Sequence, residues 1–332
     1  MATMSHDVVV PVRDRTRAGL GFAVLAAASF GLSGPLAVGL IDSGWSPAAL
    51  VLCRIAVGAL ALLGPAFVAL RGRWRLLWSN AGFLVVFGLV AVAGCQFAYF
   101  NAVERLPVGV AILVEYFAPA AVVAWLWVRH GQAPTRLTAI GAAVAVSGLL
   151  LVIDVFSVGS IDGLGVLWAL GGMVGCAFFF VVSAGEDNGL PPIVLAAAGL
   201  VVGAVALGLA GALGLVPMHA STLDASYQGV AVPWWVSVVA LGVVTAGVSY
   251  VSGILASRAL GARMASFAAL LEVLFSVVFA WLLLGQLPGP VQLLGGVLLL
   301  GGVVLVRAGE PQVGALVADG VAVRDVESDL LP

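Results

Sequence analysis

Charge is what this sequence lacks most. Only 9% of its 332 residues are charged, whereas soluble domains carry about 25%, and lysine is absent altogether. The hydrophobic share is 62% and the mean hydropathy is +1.18. A soluble protein of this length could not cover so much apolar surface, so composition predicts a membrane protein with the lipid bilayer as its surroundings. The net charge of -2 gives no reason to expect nucleic acid as a partner.

Cysteine and histidine are also scarce, with three of each. Cys53, Cys95 and Cys176 lie inside apolar runs, which is typical of small packing residues and not of disulfides or metal ligands. The histidines are scattered over a tail and loops, and the chain has no HExxH, GxSxG or P-loop motif. We therefore expect neither an enzyme nor a cofactor nor a metal; an intramembrane enzyme is the less favoured class.

Long apolar runs dominate the chain. Arg13, Arg15 and Arg17 precede a run that is similar to a secretory signal, but it continues to about Ile41, long enough to span a bilayer. Charges, prolines and glycine turns divide the sequence into ten such segments. The prediction is an all-α integral membrane protein with ten transmembrane helices: 18–41, 47–70, 81–103, 107–128, 137–156, 161–185, 191–216, 233–257, 264–284 and 290–306.

The arginines predict the orientation. With a cytoplasmic N-terminus, every arginine except Arg54 and Arg105 falls on the cytoplasmic side. An odd number of spans would destroy this separation, so we expect both termini in the cytoplasm and the protein in the cytoplasmic (plasma) membrane. What remains outside the bilayer is a tail at 1–17, an acidic tail at 308–332 and a longest loop at about 217–232. None has room for a catalytic domain, so the function must lie among the helices.

The chain contains two similar halves. AILVEYFAPAAVVAWLWV matches AALLEVLFSVVFAWLLLG, with Glu115 opposite Glu272. Each half holds five spans, an odd number, so the second must cross the membrane in the opposite sense, as in many secondary transporters. This predicts inverted five-helix repeats at 18–156 and 161–307. Further matches are GQAP (131–134) with GQLP (285–288), Gly141 with Gly295 and Gly148 with Gly302.

These segments resemble a known family. LVEYFAP in the fourth span, ALLEVLFSVVFAWLLLGQ in the ninth, ALVLCRIAVGALALL with its arginine in the second and a glycine-rich last helix are similar to EamA-type transporters of the drug/metabolite transporter superfamily. The resemblance covers about 18–307. It departs at Gly131-Gln132 and Gly285-Gln286, where the family usually has Gly-Glu, so no role that needs a carboxylate is expected there.

The resemblance implies a function. Similar members export amino acids or other small metabolites, often in exchange for protons. We therefore expect a secondary transporter, an exporter working by alternating access with a small-molecule substrate and protons as partners. The alternative is a passive facilitator or channel-like permease whose intramembrane acids are structural.

Three charged residues lie well inside the predicted spans, where a charge tends to face a cavity or a partner. Arg54 and Glu115 are both roughly 10–12 Å below the outer surface by helical rise, so an ion pair between them is expected to be feasible. Glu272 has no such arginine in its half, and a lone carboxyl in a dry site tends to be protonated. The hypothesis gives substrate recognition or a structural role to Arg54 with Glu115, and proton transfer to Glu272. The alternative is that both acids only hydrogen-bond to neighbouring helices and fix the packing.

Uncharged polar residues complete the candidate site. Their spacing places them near the predicted acids or on one helical face, where they could line a passage, or where serine and threonine could bond back to their own helix. These candidates are Gln96, Tyr99 and Asn101 in the third span, Tyr116 in the fourth, and Ser249 and Tyr250 in the eighth.

Overall fold

The computed structural model describes residues 12–103, 105–106, 111, 114–153, 162–185 and 188–309, most of them in α-helices. Several predicted segments lie partly outside these residues. They are the tails (1–11 and 310–332) and parts of the fourth, fifth and sixth spans (107–110, 112–113, 154–156 and 161).

The first half begins with helices whose ends follow from local sequence. Ser46 accepts a hydrogen bond from the Ala49 amide, and Pro47 occupies the first turn that follows, a favoured helix start. The elements are α1 (Val12–Gly31), α2 (Ser33–Asp42), α3 (Pro47–Leu70), α4 (Arg75–Ser79), α5 (Ala81–Phe87), the π-helix π1 (Gly88–Gly94), α6 (Cys95–Val103), α7 (Ala118–His130) and α8 (Arg136–Ile153).

The second half has a related order of helices, with one continuous first helix and an added pair of strands. Asp162 caps its first helix by accepting from the Leu164 and Gly165 amides. The helix that corresponds to the predicted fourth span of each half, Ala118–His130 or Leu271–Leu284, ends at a left-handed glycine, Gly131 or Gly285. The elements are α9 (Gly163–Ala184), α10 (Pro192–Ala212), strands β1 (Ala225–Tyr227) and β2 (Val230–Val232), α11 (Trp234–Gly242), the π-helix π2 (Val243–Val248), α12 (Ser249–Ala269), α13 (Leu271–Leu284) and α14 (Pro290–Gly309).

Seven helical stretches within the described residues are long and apolar enough to cross a membrane. One of them, Trp234–Ala269, contains a sharp turn at Gly261 (φ 79°, ψ 161°), so it holds the predicted eighth span and the start of the ninth. Two shorter apolar helices, Arg136–Val152 and Leu271–Leu284, coincide with the predicted fifth and ninth spans. The chain is thus a multi-pass helical membrane protein.

The helices α8 and α14, the last helix of each half, pack closely against each other through matched residues. A Cβ on Gly148 would overlap the Leu299 backbone, and one on Gly302 would overlap Ala145. Gly148 and Gly302 are matched positions of the two halves, and Ala145 and Leu299 precede them by the same spacing. Contacts that exchange equivalent residues are produced by a two-fold axis, and the helices run antiparallel. The packing agrees with the inverted arrangement that the matched glycines predict.

A β-hairpin marks one end of the bundle. The Tyr227 hydroxyl donates to the Leu36 carbonyl (2.9 Å), and Gln228 Nε2 donates to the Trp281 carbonyl (3.0 Å) at the end of α13. The predicted long loop therefore forms a short surface element tied to α2 and α13. We name this end, with residues 225–232, the hairpin end, and the opposite end, with Arg71–Arg75, the arginine end.

Candidate functional site

A cavity of about 630 Å³ lies between the two halves. Arg54 of α3, Glu115 just before α7 and Glu272 of α13 all line it. Thus the fold brings together the three charged residues that sequence places inside the spans. Most of the remaining wall is apolar or aromatic, as is usual for small-molecule sites.

Arg54 is only 7% exposed and is held by uncharged groups. Its Nη2 donates to the Thr245 carbonyl at 2.7 Å, and its guanidinium carbon lies 5.3 Å from the centre of the Phe30 ring. Its Nε is buried without a hydrogen-bond partner in the described structure. No ion pair joins Arg54 to a carboxylate among the described residues, so the pair with Glu115 that shared depth permits is not formed. The guanidinium therefore has unused hydrogen-bonding capacity and charge beside the cavity.

The Thr245 carbonyl, which accepts the hydrogen bond from Arg54, belongs to a π-helix. Thr245 lies in π2, and its carbonyl also accepts from Ser249 Oγ at 2.6 Å. A π-helix shifts the backbone hydrogen-bond pattern and often occurs at functional sites. The corresponding third helix of the first half has its own π-helix, π1, whose Ala91 also lines the cavity. Sequence analysis missed both, because their apolar residues read as continuous α-helix.

Glu115 lies where its helix is interrupted. The chain turns at Tyr116 and Phe117, and Pro119, which cannot donate a backbone hydrogen bond, follows in the first turn of α7. The Cys95 thiol lies 3.3 Å from Glu115 Oε1 and donates to it. The prediction that Cys95 is only a packing residue is therefore incomplete.

Glu272 also adjoins a helix break, although no proline is present. Leu270 separates α12 from α13, and the Leu270 and Val273 amides donate three residues back, to Phe267 and to Leu270. Glu272 thus lies in the first turn of α13, where the helix dipole favours negative charge. Tyr116 of the first half lines the same cavity, so residues of both halves contribute to this site.

The other predicted site residues divide into two groups. Gln96, Tyr99, Tyr116 and Tyr250 line the cavity, but Asn101 and Ser249 are not among its lining residues. Asn101 Nδ2 donates to the Phe97 carbonyl of its own helix, and Ser249 Oγ likewise bonds back within its helix. Ser249 therefore acts only indirectly, by sharing the carbonyl that holds Arg54.

Aromatic rings form part of the cavity wall. Phe179 packs edge-on against Phe180 and Tyr250 at centroid distances of 5.3 and 5.6 Å, and Phe30 contacts Tyr250 at 5.5 Å. Sequence analysis did not single out these phenylalanines, since phenylalanine is common in any lipid-facing helix. They supply flat apolar surface to the cavity, and Phe30 lies against Arg54.

The two ends of the cavity differ. Towards the hairpin end its wall includes Val38 and Ile41, which are 37% and 41% exposed. Towards the arginine end it stops at Ala256 and Ala265, which are almost fully buried. Beyond them Arg263, itself buried, donates from Nη2 to the Gln132 carbonyl at 2.7 Å. The cavity therefore extends to the hairpin end and is closed at the arginine end.

Comparison with known proteins supports a transport fold. The profile of the family described as the EamA-like transporter family matches residues 17–154 and 163–308, one match in each half. A solved structure titled only "Crystal structure of protein" is 19% identical, covers 88% of this chain and 97% of its own, and superposes with a TM-score of 0.67. At that identity the likeness concerns the fold alone. A comparison with curated proteins finds no match.

Proposed function

Because the chain belongs to the EamA-like transporter family, we propose that it is a secondary transporter that exports small metabolites such as amino acids. Ten transmembrane helices would form two inverted five-helix repeats, with both termini in the cytoplasm and the hairpin end outside the cytoplasmic membrane. Alternating access would expose the central cavity first to one side and then to the other. A membrane carrier of this kind needs no catalytic group, and we do not propose an enzyme.

The observation that carries this proposal is that Arg54 is buried at the cavity without an ion-pair partner among the described residues. A buried cation without an ion-pair partner is costly, and a carboxylate of the cargo would supply that partner on the side of the guanidinium that lines the cavity. Glu115 or Glu272, across the same cavity, would bind an amino group. The rings of Phe30 and Phe179 would contact an apolar side chain. Together these groups fit a zwitterion with an apolar body.

Proton coupling is proposed for Glu272. It lines the cavity beside Tyr116 and lacks a charged partner among the described residues. A carboxyl group in such a position could take up a proton in one orientation of the carrier and release it in the other. Intramembrane acids of this type commonly mark proton pathways.

The shape of the cavity supports an outward-open resting state. Its wall reaches exposed residues only at the hairpin end, while Arg263 and Gln132 join the helices at the arginine end. Export would require this contact to break, so that cargo could enter from the cytoplasm. A passive facilitator remains the second candidate, and the absence of a charged partner for Glu272 within the described residues is the observation that disfavours it.

Flux through reconstituted protein tests these proposals. Proteoliposomes containing a pH-sensitive dye would be challenged with labelled apolar amino acids and, for each, with the matching amine and the matching carboxylic acid. We expect the amino acid to be transported with accompanying proton movement, and the two analogues to be transported much less. Flux without proton movement would select the facilitator, and equal flux of all three compounds would contradict zwitterion recognition.

A further inference from the structure

Cys95 occupies a place that packing alone does not explain. It is the first residue of α6, directly after π1, and its thiol lies 3.3 Å from Glu115 Oε1 and 3.5 Å from the Gly172 carbonyl of α9. A Cβ on Gly175 would lie 2.9 Å from the Cys95 Cβ. Glycine at this position therefore lets α9 approach closely enough to offer its carbonyl to the thiol.

The Cys95 thiol lies within hydrogen-bonding distance of two acceptors, Glu115 Oε1 and the Gly172 carbonyl. A thiol has a single, weakly donating hydrogen, so Cys95 can donate to Glu115 or to Gly172 but not fully to both. Breaking this bond costs less than breaking one from a hydroxyl group, and the second acceptor prevents the buried donor from being left unsatisfied. Glu115 can therefore be released to another partner at little cost.

We propose that Cys95 is a positioning residue for Glu115: it holds the carboxyl group in the empty carrier and turns to the Gly172 carbonyl when the cargo's cationic group engages Glu115. The Arg54 side chain takes no part in this exchange, since its contacts are with the Thr245 carbonyl and the Phe30 ring. No covalent step is involved, and the thiol keeps its proton throughout. The inference rests on the proposed function only for the identity of the competing partner.

Infrared spectroscopy of the S–H stretch tests the contact without any cargo. The Cys95 band, assigned by its loss in Cys95→Ala, should lie at lower frequency in the parent than in Glu115→Leu, because the ionised carboxylate that would bind a cationic cargo is a stronger acceptor than a backbone carbonyl. In Glu115→Leu it should still lie below the band of a thiol without an acceptor, since Gly172 takes over. The matched variant Glu272→Leu, altered at the equivalent residue of the other half, should leave the band in place.

Each departure from this pattern has a defined meaning. A band that is unchanged in Glu115→Leu would show that the thiol never donates to Glu115 and would overturn the proposal. A band that moves to the free-thiol position would overturn the role of Gly172. Glu115→Gln, which keeps an acceptor oxygen, should give an intermediate frequency and provides the same test if the leucine variant fails to fold.

A transport measurement then separates positioning from packing. Cys95→Ser donates more strongly and should compete with the cargo, raising KM about threefold, the size expected for one neutral hydrogen bond, with kcat little changed. In a Glu115→Leu background, where residue 115 offers no acceptor, the same substitution should not change KM. An equal rise in both backgrounds would assign Cys95 to packing. If no amino acid is transported at all, the proposed function fails while the infrared result still decides the Cys95 contact.

Discussion

At the scale of single residues, Arg54 is expected to determine which cargo is recognised. Arg54→Gln removes the positive charge but keeps a donor near the Thr245 carbonyl. Because a hydrogen bond to a charged group contributes about 1.5–3 kcal/mol, KM for an amino acid should rise roughly ten- to hundredfold. KM for the corresponding decarboxylated amine should stay the same, and competition for labelled flux measures both.

Two further variants make the Arg54 prediction specific. Arg54→Lys keeps the charge but loses the planar group that lies over Phe30, so it should recover only part of the affinity. Arg105→Gln removes an arginine that pairs with Asp162 (3.8 Å) at an exposed site and should leave KM unchanged. An equal loss for the amino acid and the amine in Arg54→Gln would argue that Arg54 is structural.

Glu272 is the residue on which proton coupling is expected to depend. Glu272→Gln keeps the size and polarity of the side chain but cannot take up a proton. Labelled amino acid should still move down its own gradient, whereas cargo-driven proton movement, recorded with the entrapped dye, should vanish. Glu115→Gln is the matched comparison: it should weaken cargo binding, because Glu115 is proposed to bind the amino group, but at saturating cargo it should retain the proton signal. Unchanged pH dependence of transport in Glu272→Gln would reject the assignment.

At the scale of elements, the contact between α8 and α14 should be the most sensitive to added volume. Gly148→Leu would drive a side chain into the Leu299 backbone, and such overpacking costs about 1–3 kcal/mol or more. We expect a lower thermal unfolding midpoint, measured by size-exclusion of heated samples in detergent. Gly302→Leu should act similarly, because it occupies the equivalent position and meets Ala145.

The control for this prediction lies next to Gly302 in the sequence. A Cβ on Gly301 would meet nothing within 4 Å, so Gly301→Leu adds the same volume on an open face. It should leave the unfolding midpoint nearly unchanged. If Gly148→Leu and Gly301→Leu were equally stable, the glycines would not be required for the close approach of the two helices.

The elements also illustrate what the sequence can predict. Membrane class and family follow from composition and from repeated motifs, because apolar runs and matched glycines are local features. That Arg54 and Glu115 lie at a similar depth could be anticipated from helical rise, and Glu272 could be expected at the cavity as the matched acid of the second half, but only the fold shows that all three line one cavity. The π-helices and the break before Glu272 could not, since no proline or charge marks them. The Cys95–Glu115 contact depends on how closely α9 packs, which only the assembled fold determines.

At the scale of the whole molecule, alternating access depends on contacts that close one end at a time. At the arginine end, the buried Arg263 donates to the Gln132 carbonyl, just past the left-handed Gly131 that ends α7. A cation near a helix C-terminus is favoured by the helix dipole, so this contact should stabilise closure. At the hairpin end, Gln228 instead ties the hairpin to α13 without covering the exposed Ile41.

This asymmetry predicts that Arg263→Ala shifts the carrier towards opening at the arginine end. Loss of a charged hydrogen bond worth about 1.5–3 kcal/mol should raise the labelling rate of Ala265→Cys about tenfold, because that position lines the cavity but is 3% exposed in the closed state. Inside-out vesicles would be treated with a membrane-impermeant thiol reagent, and modification at residue 265 counted by mass spectrometry. Arg307→Ala, which removes an exposed arginine at the same end, should not change the rate. Equal labelling with and without Arg263 would mean that other contacts hold this end closed.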